Sequence, residues 1–133
     1  MTAAHPADLD LLEAAAALRA GELSSRELTA ACLERIAQRD GQYGAFIRVY
    51  QQAAEQAARQ ADELRARGAA GPLTGLPIAL KDVVAAAGLP LTADSAVLEG
   101  NVAGADATVW ARLRAAGMVL IGHLHCEIGR AHV

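Results

Sequence analysis

The stretch LPIALKDVVAAAG, residues 76–88, decides how this sequence is interpreted. It opens with a short apolar run, LPIAL, of the kind that forms a strand buried on both faces. Lys81 and Asp82 follow directly at the end of that run. Lys81 is the one lysine in the chain, since all the other basic residues are arginines. The single lysine therefore stands in the most apolar part of the sequence.

Lys81 has two interpretations at this stage. An ammonium group is costly to bury, and burial lowers a lysine pKa to roughly 5–6 in extreme cases. A neutral amine near pH 7 can act as a general base or a nucleophile. Alternatively, Lys81 extends into water from the strand end or pairs with Asp82. A lone Lys-Asp dipeptide is a weak signal, so the residues alone favour the second interpretation and leave the first open.

Upstream of this stretch the sequence predicts helices. Residues 8–20 carry Leu and Ala at helical spacing, with Asp8 as the N-terminal cap. Residues 25–39 form a second predicted helix. It begins with the capping-box pattern Ser24-x-x-Glu27, in which both side chains satisfy amides of the first turn.

The remaining elements predict an α/β arrangement. A short strand is predicted over residues 45–50 and an Ala-rich helix over residues 51–67. Downstream of Lys81, Asp106 is the expected cap of a helix over residues 107–116, and residues 118–121 form a second buried-type strand. The order strand, irregular segment, helix and strand predicts an α/β unit with parallel strand pairing.

Composition and charge exclude several classes of function. With 53% hydrophobic and 20% charged residues, the chain is too apolar to be disordered. The net charge of −3 provides no basic field for nucleic acid or anionic lipid. Two cysteines are too few for a disulfide scaffold. No basic leader and no long apolar run is present, so we expect a cytoplasmic protein with no membrane partner.

Histidines, Cys126 and the serines offer weaker chemistry. His123, His125 and Cys126 are close in sequence and could ligate a metal, but no second spaced ligand pair accompanies them. A polar strand end followed by an irregular tail explains them better, so no metal or other cofactor is expected. The sequence contains three serines: Ser24, Ser25 and Ser95. The first two are explained by the helix cap, and no histidine lies near the third in sequence.

Two longer segments carry a family resemblance. GPLTGLPIALKDVVAAAGLPLTADSAVLEG, residues 71–100, is similar to the pattern G-P-L-x-G-(I/V/L)-P-x-x-x-K-D and its following Gly- and Thr/Ser-containing loop. DATVWARLRAAGMVLIGHLH, residues 106–125, resembles the pattern D-A-x-V-x-x-x-L-x-x-A-G-x-(V/I)-x-x-G. Both patterns belong to the N-terminal part of the amidase signature family, and the helices upstream fit its entry segment. In this order and at this spacing, the pieces are specific together.

The resemblance implies a fold and an activity. The fold would be α/β, with N-terminal helices followed by the first strands and helix of a mixed-sheet domain. The activity would be hydrolysis of a carboxamide C–N bond by a serine–cis-serine–lysine triad, with a small-molecule amide as substrate and no cofactor. By this resemblance Lys81 is the triad lysine, and it would act on the bridging serine. An amidase subunit of a tRNA-dependent glutamine amidotransferase would share Lys81 and is an open alternative.

The sequence departs from the family in what it lacks. The family's Gly/Ser-rich run, which supplies both serines, is not found in the 133 residues. We therefore expect the chain to be a truncated N-terminal part of such an enzyme and to be inactive as it stands. A self-contained, non-catalytic α/β interaction module is the alternative from another class. His123 stands where many members have a lysine. The sequence does not specify an oligomeric state.

The resemblance also sets expected domain boundaries. Residues 8–126 would be the N-terminal part of a single amidase-type domain, with a helical entry segment over 8–70 and the start of the α/β core over 71–126. Family members continue with an acidic residue, Phe and a small residue, whereas this chain ends EIGRAHV. IGRAHV is also what a common sequencing-adapter sequence encodes in one frame. We therefore expect residues 127–133 to be a non-native tail; a genuine, divergent C-terminus is the alternative.

Overall fold

The computed structural model describes residues 4–126, so the expected tail at 127–133 lies outside the described residues. The helices are α1 (Leu11–Ala20), α2 (Ser25–Tyr43), α3 (Gln51–Ala66) and α4 (Thr108–Ala115), and the strands are β1 (Phe46–Val49), β2 (Pro77–Lys81) and β3 (Val119–Leu124). Single 3₁₀ turns are formed by Pro6–Asp8 and Ala96–Leu98. No helix of the described part is both long and apolar enough to cross a membrane.

The three described strands form one mixed sheet in the order β1-β3-β2. β1 runs antiparallel to β3, and β2 runs parallel to it, with Leu80 opposite His123 and Lys81 opposite Leu124. The segment between β2 and β3 contains α4, as a parallel connection requires. The α/β class, the mixed sheet and the parallel pairing expected from the sequence are confirmed.

Helices cover both faces of the sheet. On one face, α2 and α3 pack against β3 through a cluster of Leu33, Ala54, Ala58, Val119 and Ile121. On the other face, Leu80 packs with Trp110 of α4, and Leu120 lies against the same cluster. Successive residues of β3 therefore face opposite layers, which explains why residues 119–121 of this strand are all apolar.

The first two helices differ from the predicted ones at their ends. α1 begins at Leu11 because Asp10, not Asp8, caps it. Asp10 accepts from the Glu13 amide at 2.8 Å, and the Glu13 carboxylate accepts from the Asp10 amide at 2.9 Å. α2 continues to Tyr43 instead of ending at residue 39, because a single glycine within a helix is tolerated, and the helix ends at the left-handed Gly44, whose amide donates to the Asp40 carbonyl.

The start of α2 is capped from two directions. The Ser24 hydroxyl accepts from the Glu27 amide at 3.0 Å, as predicted, but it also donates to the Glu27 carboxylate at 3.1 Å, which replaces the return half of the capping box. The carboxylate of Asp62 in α3 accepts from the amides of Ser25 and Arg26 at 2.8 and 3.1 Å. A residue from another helix thus completes the cap.

Two predictions near β3 were also wrong in detail. Asp106 does not cap α4. Its carboxylate accepts from the Ala87 amide at 2.7 Å and from Arg114 Nε at 2.9 Å, so it ties the loop after β2 to α4. β3 extends beyond residue 121 to Leu124, because both neighbouring strands continue to pair with it. The histidine predicted to follow the strand is therefore part of it.

Candidate functional site

The candidate site lies where the parallel strands β2 and β3 end. Lys81 is the last residue of β2, and Leu124, opposite it, is the last residue of β3. Parallel strands bring their carboxyl ends to the same edge of the sheet, where open α/β sheets bind ligands. The side chain of Lys81 is exposed there. Within residues 4–126 its ammonium group forms no hydrogen bond or ion pair.

Asp82 does not pair with Lys81, which excludes one half of the second sequence interpretation; the exposed side chain of Lys81 agrees with its other half, a lysine that extends into water from the strand end. The Asp82 carboxylate is fully buried and pairs with the guanidinium of Arg48 in β1. Its Oδ2 also accepts from the Thr92 hydroxyl at 2.5 Å and from the Thr92 amide at 3.3 Å. Through these contacts Asp82 ties the end of β2 to Arg48 in β1 and to Thr92 in the following loop. The side chain of its neighbour Lys81 is exposed.

His123 is fully buried in β3, not at a solvated strand end. Its Nδ1 lies 2.6 Å from the hydroxyl of Tyr50, and its Nε2 lies 3.1 Å from the carbonyl oxygen of Val84. The Tyr50 and His123 rings meet edge to face, with centroids 5.6 Å apart. Both ring nitrogens of His123 are thus engaged in hydrogen bonds with other residues of the chain.

His125 and Cys126 are engaged elsewhere. Nδ1 of His125 lies 2.8 Å from Oδ1 of Asp94, and Oδ2 of Asp94 accepts from the Cys126 amide at 2.5 Å. In the described part of the chain, no group of three His, Cys, Asp or Glu side chains is arranged to hold a metal ion. The three residues weighed as metal ligands are therefore not brought together.

The electrostatics at this edge disfavour the thiolate form of Cys126. Burial raises the pKa of the Cys126 thiol, and the carboxylates of Asp94 and Asp82 raise it further, whereas Lys81 acts in the opposite direction. A thiol with a raised pKa is a poor nucleophile at neutral pH.

None of the serines is placed for nucleophilic catalysis in the described structure. Ser24 caps α2, and the buried Ser25 hydroxyl donates to the Gly75 carbonyl at 2.7 Å. Ser95 precedes the second 3₁₀ turn, and its hydroxyl is not hydrogen-bonded to any histidine among residues 4–126. The nucleophile that a triad needs is not provided by these three serines.

Sequence reasoning missed three residues of this region: Arg48, Tyr50 and Thr92. Arg48 carried a usable signal, because an arginine inside the short strand FIRV is costly unless it finds a partner. Tyr50 and Thr92 carried none, since each is separated from its partner by many residues. Their roles depend on which strands become neighbours.

Comparison with known proteins identifies relatives. The Amidase family model matches residues 27–129. The A-subunit of the glutamyl-tRNA(Gln) amidotransferase from Chloroflexus aggregans (strain MD-66 / DSM 9485) is 52% identical over 112 residues, which cover 84% of this chain and 23% of that protein. The protein of the same name from Myxococcus xanthus (strain DK1622) is 46% identical over 121 residues, covering 90% and 25%.

A solved structure of an amidase is also similar to this chain. The peptide amidase from Stenotrophomonas maltophilia is 38% identical, with a TM-score of 0.81, over 89% of this chain and 25% of that one. The chain thus spans about a quarter of the length of the relatives it matches. The match to the family model covers most of the sequence and includes Lys81 and the whole sheet, and the chain belongs to the Amidase family.

Proposed function

We propose that this chain is part of an enzyme that hydrolyses a carboxamide C–N bond, with Lys81 as the lysine of a serine–cis-serine–lysine triad. The observation that carries the proposal is the position of Lys81 in the family's G-P-L-x-G-L-P-x-x-x-K-D pattern at the carboxyl end of β2. Its side chain is exposed at that edge, while the acidic neighbour Asp82 is turned inward to Arg48.

The proposed chemistry is a proton relay toward the amine of Lys81. A neutral Lys81 accepts a proton from the bridging serine, which accepts one from the nucleophilic serine as that serine attacks the amide carbon. The C–N bond then breaks, the nitrogen leaves as ammonia or an amine with a proton returned through the relay, and water releases the acid from the acyl-enzyme. Neither triad serine is assigned to a residue of this chain.

Lys81 is more exposed in the described residues than a general base near neutral pH should be. A general base near pH 7 needs a lysine whose charged form is disfavoured, and burial is the usual means. In the described residues Lys81 is exposed. We propose that the remaining part of an enzyme of its relatives' length covers Lys81, because the relatives are about four times as long as the matched segment.

The test uses the full-length protein encoded at the source locus. Lys81→Ala should reduce ammonia release from a simple carboxamide by roughly 10²–10⁴-fold, the usual contribution of general-base catalysis. Lys81→Arg should fail as well, because a guanidinium stays protonated at any working pH. The matched control is Arg67→Ala, which removes an exposed cation outside the site and should leave the rate unchanged.

The outcome against the proposal is retention of more than about a tenth of the rate by Lys81→Arg, since a base role does not allow it. The 133-residue chain alone should release no ammonia above background. Release that Lys81→Ala abolishes in the isolated chain would show that one of its own residues supplies the nucleophile.

The second candidate function is the amidase subunit of an amidotransferase. It is favoured by identity: the two amidotransferase relatives are 52% and 46% identical, against 38% for the peptide amidase. Ammonia release from glutamine that requires added partner proteins would support this function. Release from simple carboxamides without any partner would support the first one. Family membership gives no support to a self-contained interaction module.

A cytoplasmic location is part of the same proposal. Cys32 and Cys126 are both free thiols, as expected in a reducing compartment. Fractionation of the source cells, with immunodetection of the full-length protein, tests this location.

A further inference from the structure

The turn that follows Lys81 is held at more than one point. The Val84 amide donates to the Lys81 carbonyl at 2.9 Å, which closes a turn over residues 81–84. Inside this turn, Asp82 is fully buried and Val83 is 55% exposed. The Asp82 amide donates to the Leu124 carbonyl at 3.0 Å, so the turn is also tied to the end of β3.

The hydrogen-bond partners of His123 indicate which of its ring nitrogens carries a proton. The Val84 carbonyl can only accept a hydrogen bond, so Nε2 of His123 carries the proton that it donates. In a neutral ring Nδ1 then accepts, and its partner is the Tyr50 hydroxyl at 2.6 Å. That hydroxyl in turn accepts from Nε of Arg48 at 3.3 Å. With the ring proton on Nε2, every group of this network has a matching hydrogen-bond partner.

One network therefore reaches the turn from two sides. Arg48 pairs with the Asp82 carboxylate and, through Tyr50, supports His123, which holds Val84. The residue between the two anchors, Val83, is 55% exposed. Lys81 begins the turn and has no side-chain partner of its own among the described residues. Its backbone position thus depends on what holds the turn.

We propose that His123 is a positioning residue for Lys81, acting by holding the Val84 carbonyl and so fixing the turn over residues 81–84. The value of that position for catalysis rests on the proposed role of Lys81. The link from His123 to the turn does not rest on it, because it is a matter of hydrogen bonds within this chain. It can be tested without any assay of activity.

The test compares two variants of similar size in the 133-residue chain. His123→Gln places an amide N–H near the position of Nε2 and keeps the bond to Val84. His123→Asn places its amide near Nδ1, keeps contact with Tyr50 and loses Val84. Amide exchange measured by NMR is compared at Val84 and at Val119, a fully buried residue whose amide donates to Leu76 at 2.9 Å. The ratio of the two rates separates the turn from global unfolding.

The expected result is a ratio raised about tenfold by His123→Asn, the loss of one buried hydrogen bond, and raised less than about threefold by His123→Gln. Lys81 provides a second readout, because it is the one lysine and reductive ¹³C-methylation labels only its side chain and the N-terminus. Because this signal reports the surroundings of Lys81 at the end of β2, it should change in His123→Asn and stay in place in His123→Gln.

Equal ratios in the two variants, or an unchanged ratio in His123→Asn, would overturn the proposal, since His123 would then act by packing alone. A third measurement needs no variant and covers the case in which both fail to fold. In the unaltered chain, long-range ¹H–¹⁵N correlation of the His123 ring should show a protonated Nε2 and a bare Nδ1 at pH 7. A proton on Nδ1 instead would mean that Val84 is not held, and the proposal would fall.

Discussion

The carboxylate of Asp82 is fully buried and is paired with the guanidinium of Arg48, which lies 34 residues earlier in the chain. The pair joins β1, one edge of the described sheet, to the turn after β2, the other edge. The arginine side chain is 21% exposed and also donates to the Pro90 carbonyl at 3.2 Å, so the two members are not equally buried. That inequality leads to the first prediction.

Removing Arg48 should cost more stability than removing the charge of Asp82. Arg48→Met leaves a buried carboxylate without its counter-charge, a change that typically costs about 3–5 kcal/mol. Asp82→Asn leaves a guanidinium with solvent access and with Pro90, so we expect a loss of about 1–3 kcal/mol. Urea unfolding followed by circular dichroism measures both.

The control for this pair is an exposed ion pair of similar geometry. Arg35 and Asp8 lie 2.7 Å apart, with the aspartate side chain 56% exposed. Arg35→Met should cost less than either substitution above, because water screens an exposed pair. If Asp82→Asn proved as costly as Arg48→Met, the inequality of burial would not determine the energetics of the pair.

Thr92, which is partly buried, and Thr29, which is fully buried, should respond oppositely to the same substitution. The Thr92 hydroxyl donates to the Asp82 carboxylate, so Thr92→Val should cost about 1.5–3 kcal/mol. The Thr29 hydroxyl is buried with no hydrogen-bond partner among the described residues, so Thr29→Val should be neutral or should raise the free energy of unfolding by about 1 kcal/mol. Thermal unfolding of both variants checks this. A loss at Thr29 larger than at Thr92 would contradict it.

Substitution of alanine at two glycines should change the free energy of unfolding in opposite directions. A Cβ on Gly122 would overlap the carbonyl oxygen of Arg48 and lie 2.9 Å from Cδ1 of Phe46, so Gly122→Ala should cost about 2–3 kcal/mol. A Cβ on Gly41, inside α2, would meet nothing within 4 Å, and Gly41→Ala should add about 0.5–1 kcal/mol. The midpoints of denaturant unfolding, compared at a constant m-value, measure the change in stability of both variants. A destabilised Gly41→Ala would show that α2 does not extend to Tyr43.

Asp106 should contribute stability that depends on pH. The Ala87 amide, and then Arg114, hold the pKa of this carboxyl below its ordinary value of 3.8. A lowered pKa means that the contribution is fully present above 3.8 and is lost as pH falls through the lower, folded-state pKa. Asp106→Asn should therefore lower the Tm at pH 7 but have less effect at about pH 2.5. An equal loss at both values would argue against the charge as the cause.

How much of this fold could be predicted from the sequence depends on how local its cause is. The helices, the strand ending at Lys81 and the parallel pairing follow from spacing and turn residues, because hydrophobic period and caps act over a few positions. The ends were less predictable. Asp10 and Asp8 are equally plausible caps for α1, and the choice of Asp10 follows from its reciprocal bonds with Glu13, while Asp8 pairs with Arg35.

For the candidate site, the sequence by itself determined the family pattern, and through that pattern it indicated Lys81 as the proposed catalytic residue. Only the tertiary structure decided that Asp82 pairs with Arg48 and that His123 is buried between Tyr50 and Val84. The physical reason is that both contacts join residues on strands and loops far apart in the chain, which become neighbours only once β3 lies between β1 and β2. A buried charge or imidazole is tolerable only where partners converge, and convergence is a property of the folded chain.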